Sequence, residues 1–182
     1  YLNRILFPND SYIEALSSDA ASVHGRTPVF ALCDEIHGWP KRDLWDAIDT
    51  GLTKTPGSLR VTLTTAGRGQ ENIGYEVISH ARKIANGEIE EPNHLPILFE
   101  TPRDADWLDE NVWHAANPGM KHGYPDIVRM RQRARVAQHR PADQAAFKMY
   151  ILNMWLDHSA APFVDMTIYD KGNKPVDLKA LE

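Results

Sequence analysis

Residues 29–33, Val-Phe-Ala-Leu-Cys, form an apolar run that ends in two adjacent carboxylates, Asp34 and Glu35, followed by Ile36 and His37. Carboxylates delivered at the end of a buried strand suit ATP hydrolysis. Asp34 can hold Mg2+ through water, because this ion keeps most of its hydration shell and takes few protein carboxylates. Glu35 would then face the γ-phosphate and orient or deprotonate the attacking water. A second apolar run ends in Thr62-Leu63-Thr64-Thr65-Ala66-Gly67. The hydroxyls of Thr64 and Thr65 can sense the γ-phosphate or hold the lytic water, whereas Thr62 fits threonine's ordinary preference for strands. The plain alternative is a solvated acidic pair beside a threonine-rich strand. His37 could couple the site to a moving segment, although a lone histidine more often bonds locally. The eight histidines and the single cysteine, Cys33, show no zinc-ligand spacing, and no structural metal is expected.

The elements that must position these groups follow from periodicity. Residues 1–7 and 12–16 are β-prone runs around the turn Pro8-Asn9-Asp10 and predict a hairpin. The continuous apolarity of residues 29–33 predicts a central strand covered on both faces. Leu44, Ala47, Ile48 and Leu52 give residues 40–52 a helical stripe, and Pro56-Gly57-Ser58 precedes a strand at 59–65. Strand, helix, strand implies a right-handed parallel crossover that delivers Asp34, Glu35, Thr64 and Thr65 to one edge. Residues 73–85 form a further helix with Gly87 as its stop, followed by a short strand at 95–99.

Past Thr101-Pro102 the pattern turns helical, over residues 104–116, 124–139 and 142–156. The expected organisation is an α/β part over 1–103, a helical subdomain over 104–158 and a tail over 159–182 with a β-like piece at 163–169. Trp107, Trp113, Phe147, Ile151 and Trp155 are spaced for helix packing. Arg129, Arg131, Arg133, Arg135 and Arg140 make one helix basic, which is a solvated face by default and a contact for DNA phosphates or an acidic partner as the alternative.

Composition narrows the classes. With 182 residues, of which 42% are hydrophobic, the chain can bury a core. A net charge of −5 argues against coating nucleic acid by bulk charge, so any such contact is local. One cysteine and the lack of a signal pattern or an 18-residue apolar run point to a reducing compartment and no membrane. No Gly-x-x-x-x-Gly-Lys-[Ser/Thr] loop occurs and the chain starts at Tyr1, so it reads as an excised piece that binds ATP productively only with a lysine loop supplied upstream.

Ser17-Ser18-Asp19-Ala20, His24-Gly25, Asp34-Glu35-Ile36-His37, Thr64-Thr65-Ala66-Gly67, Asp106-Trp107, Trp113, Ala116-Asn117-Pro118 and Asn153-Met154-Trp155 together resemble the large terminase subunit of tailed bacteriophages. The resemblance runs from about residue 11 to residue 177. It implies a DNA-packaging motor with a partial RecA-like, P-loop NTPase sheet followed by a helical linker. It also implies an RNase H-like nuclease, with two metal ions, beyond this chain. On this resemblance Asp34 is the Mg2+ carboxylate, Glu35 the catalytic base, and Thr64-Thr65-Ala66 the motif coupling hydrolysis to DNA movement. Many terminases carry an arginine where His24 stands, reaching into a neighbouring subunit's ATP site, and Arg26 is the nearest substitute here. The implied partners are double-stranded DNA, a small terminase subunit, the portal of the procapsid and further copies of the same chain, in the cytoplasm of a bacterial host. A DExH superfamily 2 helicase is the enzyme alternative, although residues 104–157 read as helical where a second RecA-like domain would alternate. A non-catalytic module that docks DNA or a capsid portal is the other. Asp165 and Asp170 lack the strand context of a nuclease site and are not assigned to one.

Overall fold

The computed structural model describes residues 3–16, 23–39 and 41–157. The segment 17–20, Pro40, the β-like piece 163–169 and the tail from 159, with Asp165 and Asp170, lie outside the described residues.

The chain opens with the expected hairpin. β1 (Arg4–Leu6) pairs antiparallel with β2 (Tyr12–Glu14), with Ile5 opposite Ile13. Its turn uses Asp10 at φ 64°, a left-handed position that aspartate tolerates better than most residues. β3 (Phe30–Asp34) and β4 (Leu59–Leu63) form the parallel pair, in register from Phe30 opposite Leu59 to Asp34 opposite Leu63. Between them runs α1 (Asp43–Leu52), which buries Leu44, Trp45, Ala47, Ile48 and Leu52 with Val23, Cys33, Ile36 and Ile73. Burial of this kind stabilises by about 1.5–3 kcal/mol per large side chain. Arg60 on β4 stacks over the Trp45 ring at 3.9 Å and pairs with Asp49, so the helix is held to the sheet at its rim as well.

The expectation of a strand covered on both faces is corrected. Ala31 and Cys33 face α1, whereas Phe30 and Leu32 are exposed, together with Leu59 and Leu63 opposite. Only one layer of helix lies on the pair among the described residues. β4 also stops at Leu63, which leaves Thr64 and Thr65 beyond the ladder.

α2 (Ile73–Ala85) has its expected ends. Asn72 caps it by accepting the amide of Tyr75, and Gly87, at φ 75°, returns its amide to Ile84. The strand expected at 95–99 does not form. That stretch has no ladder partner among the described residues, and Leu95, Ile97 and Phe99 are exposed.

The helical part has shorter helices than the periodicity suggested. α3 is Glu110–Ala116, because Asp106 and Asp109 accept the amides of Leu108 and Asn111 and hold the preceding residues in turns. α4 (Ile127–Ala137) starts where Asp126 caps Val128, and α5 is Pro141–Tyr150. After α5 the chain leaves the helix through Asn153 at φ 48°. Trp113, Met130, Ala134, Phe147 and Leu152 make a second core, with Phe147 edge-on to Trp107 and Trp113 at 5.8 and 5.6 Å. A third, smaller cluster of Ala66, Met149 and Trp155, with Tyr75, Ile78 and Leu156, joins the two parts.

Candidate functional site

Asp34 is the last residue of β3, and its exposed side chain stands at the sheet edge. Oδ1 accepts the Glu35 amide at 3.0 Å, which orients the carboxylate. Glu35 then adopts φ 52°, ψ 43°, a left-handed conformation that costs a non-glycine residue about 1–2 kcal/mol. This reversal starts a 3-10 turn, Ile36–Gly38, that drives Ile36 into the core with no exposed surface while Glu35 stays more than half exposed. Deep burial of Ile36 offsets the strain, and the acid is left projecting from the sheet edge. Trp39 closes the turn by donating its indole N–H to the Asp34 carbonyl at 3.0 Å.

His37 connects the two sequence motifs. Its backbone amide donates to Thr64 Oγ1 at 3.1 Å. Its Nδ1 lies 3.0 Å from Thr64 Oγ1, 3.5 Å from Thr65 Oγ1 and 3.0 Å from Glu35 Oε2. Proton counting assigns this network. The Thr64 hydroxyl donates its only proton to the Thr65 carbonyl at 2.9 Å, so it can only accept from the imidazole. Nδ1 therefore carries the hydrogen that Thr64 accepts, with Glu35 Oε2 beside it at 3.0 Å. The acid of the first motif and the threonines of the second are thus held through one imidazole.

Two glycines make this approach possible. A Cβ on Gly74, in the first turn of α2, would lie 2.7 Å from the His37 Cα and 3.0 Å from its amide nitrogen. A Cβ on Gly67 would lie 3.0 Å from the His37 Cβ and 3.1 Å from the Trp155 ring. The same loop binds the helical part. Trp155 donates its indole N–H to the Gly69 carbonyl at 2.7 Å, Leu156 exchanges backbone hydrogen bonds with Gly67 and Gly69, and Tyr75 packs on the Trp155 ring at 5.4 Å.

Arg26 is placed elsewhere. It pairs with Glu14 of β2 at 2.5 Å, and Arg4 holds the same carboxylate at 3.0 Å. Glu14 is consequently held below the usual glutamate range, chiefly by the Arg26 hydrogen bond, and Arg26 is raised in turn. Asp34, Glu35, Thr64 and Thr65 converge, while Arg26 fastens the hairpin to the turn that precedes β3. His24 is exposed in that turn. On α4, Arg129, Arg131, Arg133 and Arg135 are exposed. Arg131 forms a two-point pair with Glu110 of α3, which raises the arginine and lowers the glutamate. Sequence reasoning missed Gly74 and Asn72, and took Gly67 only as the end of the Thr64-Thr65-Ala66-Gly67 motif. A glycine in the first turn of a helix is the one signal of the close approach that was present.

Residues 4–83 match the family described as the terminase large subunit, ATPase domain. The large terminase subunit of enterobacteria phage HK97 is 26% identical over 169 residues, which cover 90% of this chain and 32% of that protein. These two matches support a terminase large-subunit fragment. Protein YmfN of Escherichia coli strain K12 is 26% identical over 140 residues, 76% of this chain and 30% of that protein. The crystal structure of the HK97 bacteriophage large terminase shares the fold at a TM-score of 0.68 and 23% identity, over 90% of this chain and 33% of that one. The chain therefore spans about a third of the length of the relatives it matches, and the family match and the HK97 relative favour a terminase over a DExH helicase.

Proposed function

We propose that the chain is the later part of a RecA-like ATPase core, with its linker, from a motor that uses ATP to move double-stranded viral DNA into a procapsid. In this reading residues 4–83 carry the hydrolytic edge and residues 104–157 the linker. The phosphate-gripping lysine and a nuclease for concatemeric DNA belong to other parts of the whole protein. The observation that carries the reading is the junction of Glu35 with Thr64 and Thr65 through His37, beside Asp34 at the shared end of two parallel strands.

The chemistry follows from these positions. Asp34 suits Mg2+ held through water, since it is exposed and its second oxygen is not used by the Glu35 amide. Bound Mg2+ and ATP supply an activated γ-phosphate. Glu35 supplies a carboxylate, projected from the sheet and set beside the His37 ring, that accepts the proton of the attacking water. His37 passes any shift of Glu35 to Thr64 and Thr65. From there Ala66, Gly67 and Trp155 lead to the linker, which is the route from hydrolysis to DNA movement. Arg26 acts in trans only after exchanging Glu14 for another anion, so the hairpin would move with it. Small terminase subunit, portal and further copies of this chain are the partners of such a motor, working in the host cytoplasm.

In the complete protein, Glu35→Gln should lower ATP turnover at least about 100-fold, the usual scale for loss of a general base, while leaving nucleotide binding in place. Steady-state turnover and a nucleotide-binding titration on one preparation check this. Unchanged turnover removes Glu35 as the base. No turnover in the unaltered protein favours the non-catalytic docking module instead.

A further inference from the structure

A second group of chemically able side chains lies away from the strand-end site. His80 sits on α2, and Glu91 and His94 follow on the segment that turns back along it. One ligand atom from each lies within 4.8 Å of the others. His80 Nε2 is 2.6 Å from Glu91 Oε2, and His94 Nδ1 is 3.9 Å from the same oxygen. The two imidazole rings are 5.7 Å apart and inclined at 57°, an open arrangement rather than a stack.

The backbone holds this arrangement from both sides. Gly87 at φ 75° reverses the chain, and Glu88 and Ile89 both return their amides to the Lys83 carbonyl. His94 and Glu91 share one turn, closed by the hydrogen bond from the His94 amide to the Glu91 carbonyl at 3.0 Å. Further along, Arg82 binds Glu100 at two points. The segment 88–100 is thereby held to α2 by backbone amides at its start and by side chains further along.

We propose that His80, Glu91 and His94 form a binding site for one divalent transition-metal ion of the zinc class, with a fourth position open to water. Two imidazoles and one carboxylate make a borderline donor set that suits Zn2+, Co2+ or Ni2+, whereas Mg2+ and Ca2+ prefer oxygen throughout. A tetrahedral ion with bonds of about 2.0–2.1 Å sets its donors about 3.3–3.4 Å apart. The distances of 2.6 and 3.9 Å bracket that value. The ion replaces the proton between His80 and Glu91 and opens that contact, and the three side chains are 31–44% exposed, leaving room to do so. The bound ion clamps residues 88–100 onto the helix whose first turn backs His37. The sequence reading expected no structural metal, because it looked for cysteine and histidine spacing and not for a carboxylate between two histidines.

Titrating the purified full chain with Co2+, with Mg2+ in excess, tests this. A tetrahedral ligand-field band that saturates at one ion per chain and is displaced by Zn2+ is expected. His80→Ala and His94→Ala should each weaken Co2+ binding at least about 10-fold, since even an outer-shell partner is worth that much. The exposed His114→Ala should leave it unchanged. On the unaltered chain, Zn2+ should shift the imidazole nitrogen resonances of His80 and His94 and of no other histidine, a readout that does not depend on the variants folding. Binding that is equal in the His94→Ala variant, or imidazole shifts spread over all histidines, overturns the site and leaves a hydrogen-bonded His–Glu pair.

Discussion

At the scale of single residues, the contact between Gly74 and His37 decides how closely the acid motif approaches α2. A Cβ there would meet backbone atoms at 2.7 and 3.0 Å, and no side chain can swing away to relieve it. Alanine in place of a helical glycine ordinarily stabilises by about 1 kcal/mol. Here overpacking, at about 1–3 kcal/mol, opposes that gain and outweighs it. Gly74→Ala should therefore lower the denaturant midpoint, and it should also displace the His37 amide from Thr64. A raised midpoint would mean that the helix and the Ile36–Gly38 turn are not in contact. The same reasoning explains why the site was only partly legible. Asp34, Glu35, Thr64 and Thr65 are recognisable by type and order, but the left-handed φ of Glu35 and the His37 bridge arise from the burial of Ile36 and from a distant glycine.

At the scale of elements, what was local was readable and what depended on competing partners was not. α2 kept its expected ends because its apolar stripe and Gly87 are strong local signals, and Asn72 caps it in addition. The helices around 104–116 and 142–156 were overdrawn because Asp106 and Asp109 capture amides that a helix would have used, and because Asn153 turns left-handed. The absent strand at 95–99 has the alternation of a strand but no neighbour to pair with among the described residues. The hairpin carries an electrostatic prediction. Glu14 is held low chiefly by Arg26, with burial opposing next and Arg4 adding a lesser lowering. A carboxylate depressed in the folded state adds stability above its unfolded value, about 4.3, and loses it as pH falls through the folded value. The amide resonances of β1 and β2 should therefore change on acidification below the ordinary glutamate range. Glu14→Gln should abolish that change, and an identical acid profile in the variant would remove Glu14 as its source.

At the scale of the whole molecule, the two cores meet through Trp155 and its neighbours, while among the described residues nothing covers the far face of the β3–β4 pair. Phe30, Leu32, Leu59 and Leu63 are 52%, 57%, 55% and 51% exposed and lie on one face of the pair, in register. Parallel strands are ordinarily covered on both faces, and a contiguous apolar patch marks a surface that meets another. The relatives it matches are about three times this long, and in the proposed reading further layers of an ATPase core cover this face. The chain by itself should then associate through this face. Threonine keeps the strand preference while removing apolar area. Phe30→Thr with Leu32→Thr should shift the isolated chain toward monomer in sedimentation velocity without changing its circular dichroism. In the complete protein the same pair should lower stability by about 1.5–3 kcal/mol for each side chain, because there the face is buried. Opposite signs in the two contexts are the expected result. If both forms of the isolated chain sediment alike and the complete protein is unaffected, the face is solvated in both.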